Sequence, residues 1–299
     1  MRVTSGMIAA TFMRDINNNL RSLAKYQHQL ASGKRVSRPS DNPVAIVHSL
    51  RLRSDLGDIE QFAKNVDHAL SWLNLTDTAL SQAGDILQRV RELAVYGANG
   101  TLPQESRNAL AEEVQQLFDQ LVQVGNTTYA GQYIFAGTET KTAPFQVQID
   151  GNGDISVLFK GNNQAKETEI GTNQKLRYNL SGDVVFKQPD AFAALQNLIT
   201  NLKNGATDQI SSTDIAAIDQ AIDHLLAVRA EVGARVNRLE MTKSRLDDAN
   251  INFTDLLAKV EDVDVAQTIM ELKNQENVYR AALATGARII QPTLVDFLR

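Results

Sequence analysis

The stretch Ala63-Lys-Asn-Val66-Asp-His-Ala-Leu70-Ser-Trp-Leu73-Asn-Leu-Thr-Asp77-Thr-Ala-Leu80 repeats one register at alternating steps of three and four residues, with only Asp77 polar. That is the seam of a helix lying along another helix. The same register runs back through Ile59, Leu56, Leu52 and Ser49 to Ala45, and forward through Gly84, Leu87 and Arg91 to Ala94. It predicts one helix that starts at Pro43, capped by Asp41 or Asn42, and ends at Gly97-Ala-Asn-Gly100. Such a helix would be about 84 Å long. Gly57 and Gly84 are the weak points of its interior.

A helix of that length needs partners, and the flanking sequence supplies them. Residues 5–32 carry a thin seam of Met13, Ile16, Leu20, Leu23 and Leu30, with Gln27 in the remaining slot, and Gly33 stops the helix. A third helix follows Pro103, with Leu110, Val114, Leu117, Leu121 and Val124 on one stripe. From Tyr129 to Lys187, β-branched and aromatic residues alternate with polar ones. Phe145–Ile149 and Ile155–Phe159 read as a hairpin around Asp150–Asp154, and further strands are expected near 167–170, 175–178 and 184–186. Helical periodicity returns after Pro189. From about Thr213 to Gln291 it shows two seams that are out of phase. Leu246, Ala249, Phe253, Leu256, Val260 and Val263 form the first, and Val265, Ile269, Leu272, Tyr279, Leu283 and Ile290 the second, with the shift at Glu261–Ala266.

The expected fold is mainly α: a long antiparallel helical, coiled-coil rod formed by the N- and C-terminal arms, with a small inserted β domain. Residues 1–40 with 265–299 form a terminal helical assembly domain in this reading, 41–140 with 190–264 a long-helix domain, and 141–189 the β insertion. Charge supports the pairing of the ends. Residues 1–53 hold nine Lys/Arg against two Asp/Glu, whereas Lys243–Asn277 holds eight acids against four bases. The basic residues are spread through a hydrophobic repeat and are not in a block, which favours matching to the chain's own acids over a nucleic-acid or membrane arm. A thin terminal seam interrupted by Asn17-Asn-Asn19 does not sustain an isolated helix. Both ends are therefore expected to order fully only with other subunits.

No chemistry-bearing pattern accompanies this architecture. There are no cysteines, and the histidines 28, 48, 68 and 224 are scattered. Asp150, Asn152 and Asp154 begin like a calcium loop, but the required glycine and terminal glutamate are Ile155 and Gly161. No phosphate-cradling or nucleophile-elbow motif occurs. The reading is a structural, self-assembling chain and not an enzyme, with no cofactor and no metal. No apolar run approaches a membrane span, and the Met7–Met13 patch is too short and polar for a cleaved signal peptide.

Several motifs carry a family likeness. Leu30-Ala-Ser-Gly-Lys-Arg-Val-Ser-Arg-Pro-Ser-Asp-Asn-Pro-Val-Ala45, Leu87-Gln-Arg-Val-Arg-Glu-Leu-Ala94 with Ala98-Asn-Gly-Thr101, and Val260-Glu-Asp-Val-Asp-Val-Ala266 resemble, in order, the two terminal arms of bacterial flagellins. Gly131-Gln-Tyr-Ile-Phe-Ala-Gly-Thr138, followed by Thr142-Ala-Pro-Phe145, resembles the members of that family found at the hook–filament junction. The resemblance implies a ring of copies between the first hook-associated protein and flagellin. It also implies export through the flagellar type III channel and a cytosolic chaperone on the C-terminal region. By the same likeness, Gln88, Arg89, Glu92 and Leu93 are expected to pack against a neighbouring subunit. A short flagellin is the alternative; a secreted enzyme on a stalk and a cytosolic coiled-coil scaffold fit the residues less well.

Overall fold

The computed structural model describes residues 5–149 and 155–290. The Asp150–Asp154 turn and the last nine positions of the C-terminal arm lie outside them. The chain is mainly helical with a small inserted set of antiparallel strands. Helix α1 spans Ser5–Ser32, and Gly33 follows it with φ +69, the left-handed conformation that ends helices without a Cβ penalty. Helix α2 is continuous over Pro43–Gly97, through both interior glycines. Helix α3 is Gln104–Gly125.

Three two-stranded antiparallel pairs follow among the described residues. Strands β1 (Thr128–Tyr129) and β2 (Gln132–Tyr133) close over Ala130 and Gly131, both with positive φ. Strand β3 (Phe145–Ile149) pairs with β4 (Ile155–Phe159) in the register Phe145↔Phe159, as the alternation predicts. Strand β5 (Glu167–Gly171) pairs with β6 (Gln174–Arg177) across a bulge. The strand expected at 184–186 is instead a single helical turn, α4 (Gly182–Phe186). The Ser181 hydroxyl accepts from the Asp183 N–H at 3.3 Å and caps the turn, which buries Val185 and Phe186 while Val184 faces out. Three apolar residues in a row fit either period, so the cap decided the outcome.

Helix α5 (Ala191–Asn204) is capped by Asp190 and ended by Gly205. A short turn α6 (Thr207–Gln209) passes through a π-helical segment, Ile210–Asp214, into α7 (Ile215–Glu261). Helix α8 (Val265–Ile290) follows the break at the seam shift. Contacts divide the chain into two compact units, residues 1–58 with 249–299 and residues 59–248.

The larger unit, 59–248, holds most of the buried side chains. Leu73, Leu80 and Leu87 of α2 lie in one cluster with Phe118 and Leu121 of α3, Leu195 and Leu198 of α5, and Leu225 and Val232 of α7. The middle of the Gly131–Thr138 segment, residues 134–137, is buried in this unit, while Gly131, Gln132 and Thr138 are exposed. Ile134, Phe135 and Ala136 are buried, and the Phe135 carbonyl accepts from Gly182 N–H at 2.8 Å. Phe145 stacks near Phe159, Phe186 and Phe192, with ring centroids 5.0–5.5 Å apart. The motif is therefore core architecture, holding the strands to the helices.

Gly137 is where that segment tolerates no side chain. Its φ is +72, and a Cβ there would sit 2.0 Å from the Asn162 carbonyl oxygen. Gly137→Ala is expected to destabilise this unit by about 3 kcal/mol through overpacking and backbone strain. Trp72, buried and the sole tryptophan, reports the change by fluorescence in denaturant titrations. An unchanged midpoint would contradict the assignment.

Candidate assembly surface

The smaller unit contains both ends of the chain. Helices α1 and α8 pack on each other, and three contacts fix the direction. Phe12 lies against Gly286, Asn19 accepts from Gln275 Nε2 at 3.2 Å, and Gly33 carbonyl accepts from Val263 N–H at 3.1 Å. As numbers rise along α1 they fall along α8, so the pair is antiparallel.

The inward stripe of α1 is Phe12, Ile16, Asn19, Leu23, Tyr26 and Leu30, and that of α8 is Thr268, Leu272, Gln275, Tyr279, Ala282 and Gly286. Both step by four and three. Few of these side chains are fully covered: Ile16 is buried on α1, and Thr268 and Gly286 on α8. A Cβ at Gly286 would lie 1.9 Å from Phe12 Cζ, so the glycine supplies the hole that receives the ring. The Asn19–Gln275 bond pairs two half-buried amides, which sets register at some cost in stability.

Of the residues the sequence singled out, Ile16, Leu23, Leu30, Leu272 and Tyr279 lie in or beside this contact. Met13 and Leu20 are exposed at 54% and 41%, and Val265, Ile269 and Leu283 at 54%, 44% and 44%. The structure thus leaves an apolar strip on each arm pointing away from the partner helix. The side chain of Ile290 lies outside the described residues. In the larger unit, Gln88, Arg89 and Glu92 are exposed on α2, whereas Leu93 is buried in its own core. Arg89 bridges to Glu113 of α3 at 2.8 Å and to Glu92 at 2.9 Å.

The joint that carries the arms was not singled out by the sequence beyond the seam shift. At the C-terminus of α7, the buried Glu261 carboxylate gathers groups from the other end of the chain. The Ser49 hydroxyl donates to it, Arg53 Nη2 lies at 2.6 Å and Lys34 Nζ at 2.9 Å. The backbone closes around the same residue: Arg35 N–H donates to Glu261 O at 2.6 Å, and the Arg35 guanidinium to Val260 O at 3.2 Å. Asp41 accepts from the N–H groups of Arg38 and Ser37, which order the 34–42 loop and hold the Asp41 carboxyl below its usual range. Burial would raise the Glu261 pKa, but the bonds from Arg53, Ser49 and Lys34 outweigh it and lower the value to about 2.

Among the described residues no helix is long and apolar enough to cross a membrane. Two family models match the chain: the bacterial flagellin N-terminal helical region over residues 3–140, and the C-terminal helical region over 215–298. The flagellar hook-associated protein 3 of Escherichia coli is 29% identical, covering 94% of this chain and 95% of its own. The flagellin of Bacillus subtilis is 25% identical over 97% of each. In structure, the flagellar hook-associated protein 3 of Legionella pneumophila superposes with a TM-score of 0.63 over 70% of this chain and 98% of its own, at 21% identity, so the fold is shared.

A carboxylate held at about 2 in the fold, against 4.5 free, stabilises the folded joint only while it is ionised. That stabilisation, on the order of 3 kcal/mol, is complete above about pH 5 and is lost as the pH falls towards 2. Glu261→Gln is expected to remove most of it at pH 7, and the gap between wild type and variant to close by pH 2. Denaturant titrations followed by circular dichroism measure this; a gap independent of pH would contradict the assignment.

Proposed function

The chain belongs to the bacterial flagellin family, and from that membership we propose that it is the junction subunit that links the hook side of the flagellum to the flagellin filament. The observation that carries the proposal is the α1–α8 pair. Two helices of 28 and 26 residues meet along a seam in which one apolar side chain of α1 is fully covered. Burying an aliphatic side chain contributes about 1.5–3 kcal/mol, little against the entropy of ordering two such helices. Met13, Leu20, Val265, Ile269 and Leu283 then supply the missing contact area when neighbouring subunits cover them.

The likeness to hook-associated protein 3 over nearly the whole chain supports the junction role over the filament role. In this reading, copies form a ring whose hook-side neighbour is the first hook-associated protein and whose filament-side neighbour is flagellin. The subunit leaves the cell through the flagellar type III channel, with a cytosolic chaperone shielding the C-terminal region beforehand. Residues 1–40 and 265–299 act as the assembly domain, Gln88, Arg89 and Glu92 present a contact for a neighbouring subunit, and no catalysis is assigned. The match to Bacillus subtilis flagellin favours the second reading, a short filament subunit.

Complementation separates the two. In a strain that lacks its own junction protein, builds hooks and sheds flagellin monomers into the medium, this chain is expected to restore retained filaments. The double variant Met13→Asp, Ile269→Asp is expected to lose at least about tenfold in retained filament, since a buried unpaired charge weakens each contact by several kcal/mol. Continued shedding with wild-type chain overturns the junction reading. Purified chain that grows long filaments on a seed favours the filament reading.

A further inference from the structure

Two grooves on the chain carry opposite charge. The first is in the smaller unit, between α1 and the 34–42 loop. Arg21, Lys25 and His28 line it from the helix, and Ser37, Arg38 and Asp41 from the loop. Among the described residues Arg21, Lys25 and Arg38 make no ion pair, and the Asp41 carboxylate is already occupied by two backbone N–H groups. All six side chains are exposed.

The second groove is in the larger unit, between α2 and α7. Gln88, Arg91 and Glu92 line one wall, and Asp219, Ile222 and Asp223 the other. Arg91 is tied to Asp219 at 2.5 Å and Glu92 to Arg89 at 2.9 Å, which leaves Asp223 as the lining carboxylate without an ion pair among the described residues; the lining as a whole holds three acids against one base. Each wall ends in an exposed apolar side chain on the same helical stripe: Val95 on α2 at 52% and Leu226 on α7 at 52%. The two exposed apolar side chains beside the charged positions add area that a partner surface would cover.

We propose that the basic groove of one copy docks on the acidic α2–α7 groove of the next, as a head-to-tail contact between copies of this chain. The inference rests on the junction reading above and deepens it, because it names the partner surface for the exposed Gln88–Glu92 face. Charge complementarity selects this occupant. The only acids in the first 53 residues are Asp15 and Asp41, whereas residues 54–150 hold thirteen acids against five bases. Like faces therefore repel and unlike faces attract, which favours a heterologous contact over a self-complementary one. A heterologous contact closes into a ring when its rotation closes.

Because the chain has no cysteine, single thiols report the contact directly. Full-length Ser37→Cys chains mixed with full-length Gln88→Cys chains are expected to form a disulfide-linked heterodimer at assembling concentration, and its yield is expected to fall with added salt. Reversing the acidic groove (Glu92→Lys with Asp223→Lys) in the Gln88→Cys chain lowers the yield at least about tenfold. Reversing the basic groove as well (Arg21→Glu with Lys25→Glu), now in the Ser37→Cys chain, restores it. A yield that ignores the reversals overturns this docking but leaves the junction reading standing. A yield that falls with the first reversal but is not rescued by the second also overturns it. Wild-type chains that associate in no register at any concentration overturn both.

Discussion

The smaller unit depends on satisfying one buried carboxylate. Glu261 ends α7, and its two oxygens take a hydroxyl, a guanidinium and an ammonium from residues 34–53, more than two hundred positions earlier. A buried ion without partners costs several kcal/mol, so a fold that buries Glu261 must also bring Lys34, Ser49 and Arg53 to it. Once Lys34, Ser49 and Arg53 are engaged, the backbone of Gly33 and Arg35 is in position to bond to Val263 and Glu261. That contact fixes where α1 ends opposite where α8 begins. The Asn19–Gln275 and Phe12–Gly286 contacts extend the same register outward.

Strength at the joint contrasts with weakness beyond it. The larger unit buries aromatic and aliphatic side chains in one continuous cluster, whereas the α1–α8 pair covers few side chains fully and leaves nine large apolar ones outward among the described residues. This division fits the proposed reading, in which neighbouring subunits cover the outward apolar side chains of the arms.

Much of this was legible in the sequence. The bounds of α1, the continuity of α2 and the β3–β4 register follow from periods of 3.5 and 2 that are strong enough to stand alone. The phase of the α1 seam was not. Hydrophobicity selects Met13 and Leu20, but the structure turns Phe12 and Asn19 inward, because Asn19 has an amide partner and Phe12 a glycine hole on α8. Neither partner is visible from one helix. The β1–β2 turn was missed because Ala130 shares the positive φ of Gly131 and carries no turn signature. Glu261 looked like one acid in an acidic stretch, and only the fold brings its three donors to it. The Tyr133–Gly137 motif was recognisable as a pattern, but its role as internal packing depends on Gly182, Asn162 and Phe186, which the sequence holds far apart.

In the proposed reading the arms are a paired but incomplete surface, finished by other subunits. Amide hydrogen exchange on the full-length chain, free in dilute solution and incorporated at the hook tip, tests it most directly. Amides of α1 and α8 are expected to exchange orders of magnitude faster than those of Val66–Ala94 in the free chain, and to become protected on incorporation. Equal, strong protection of both arms in the free chain, unchanged on incorporation, would contradict it.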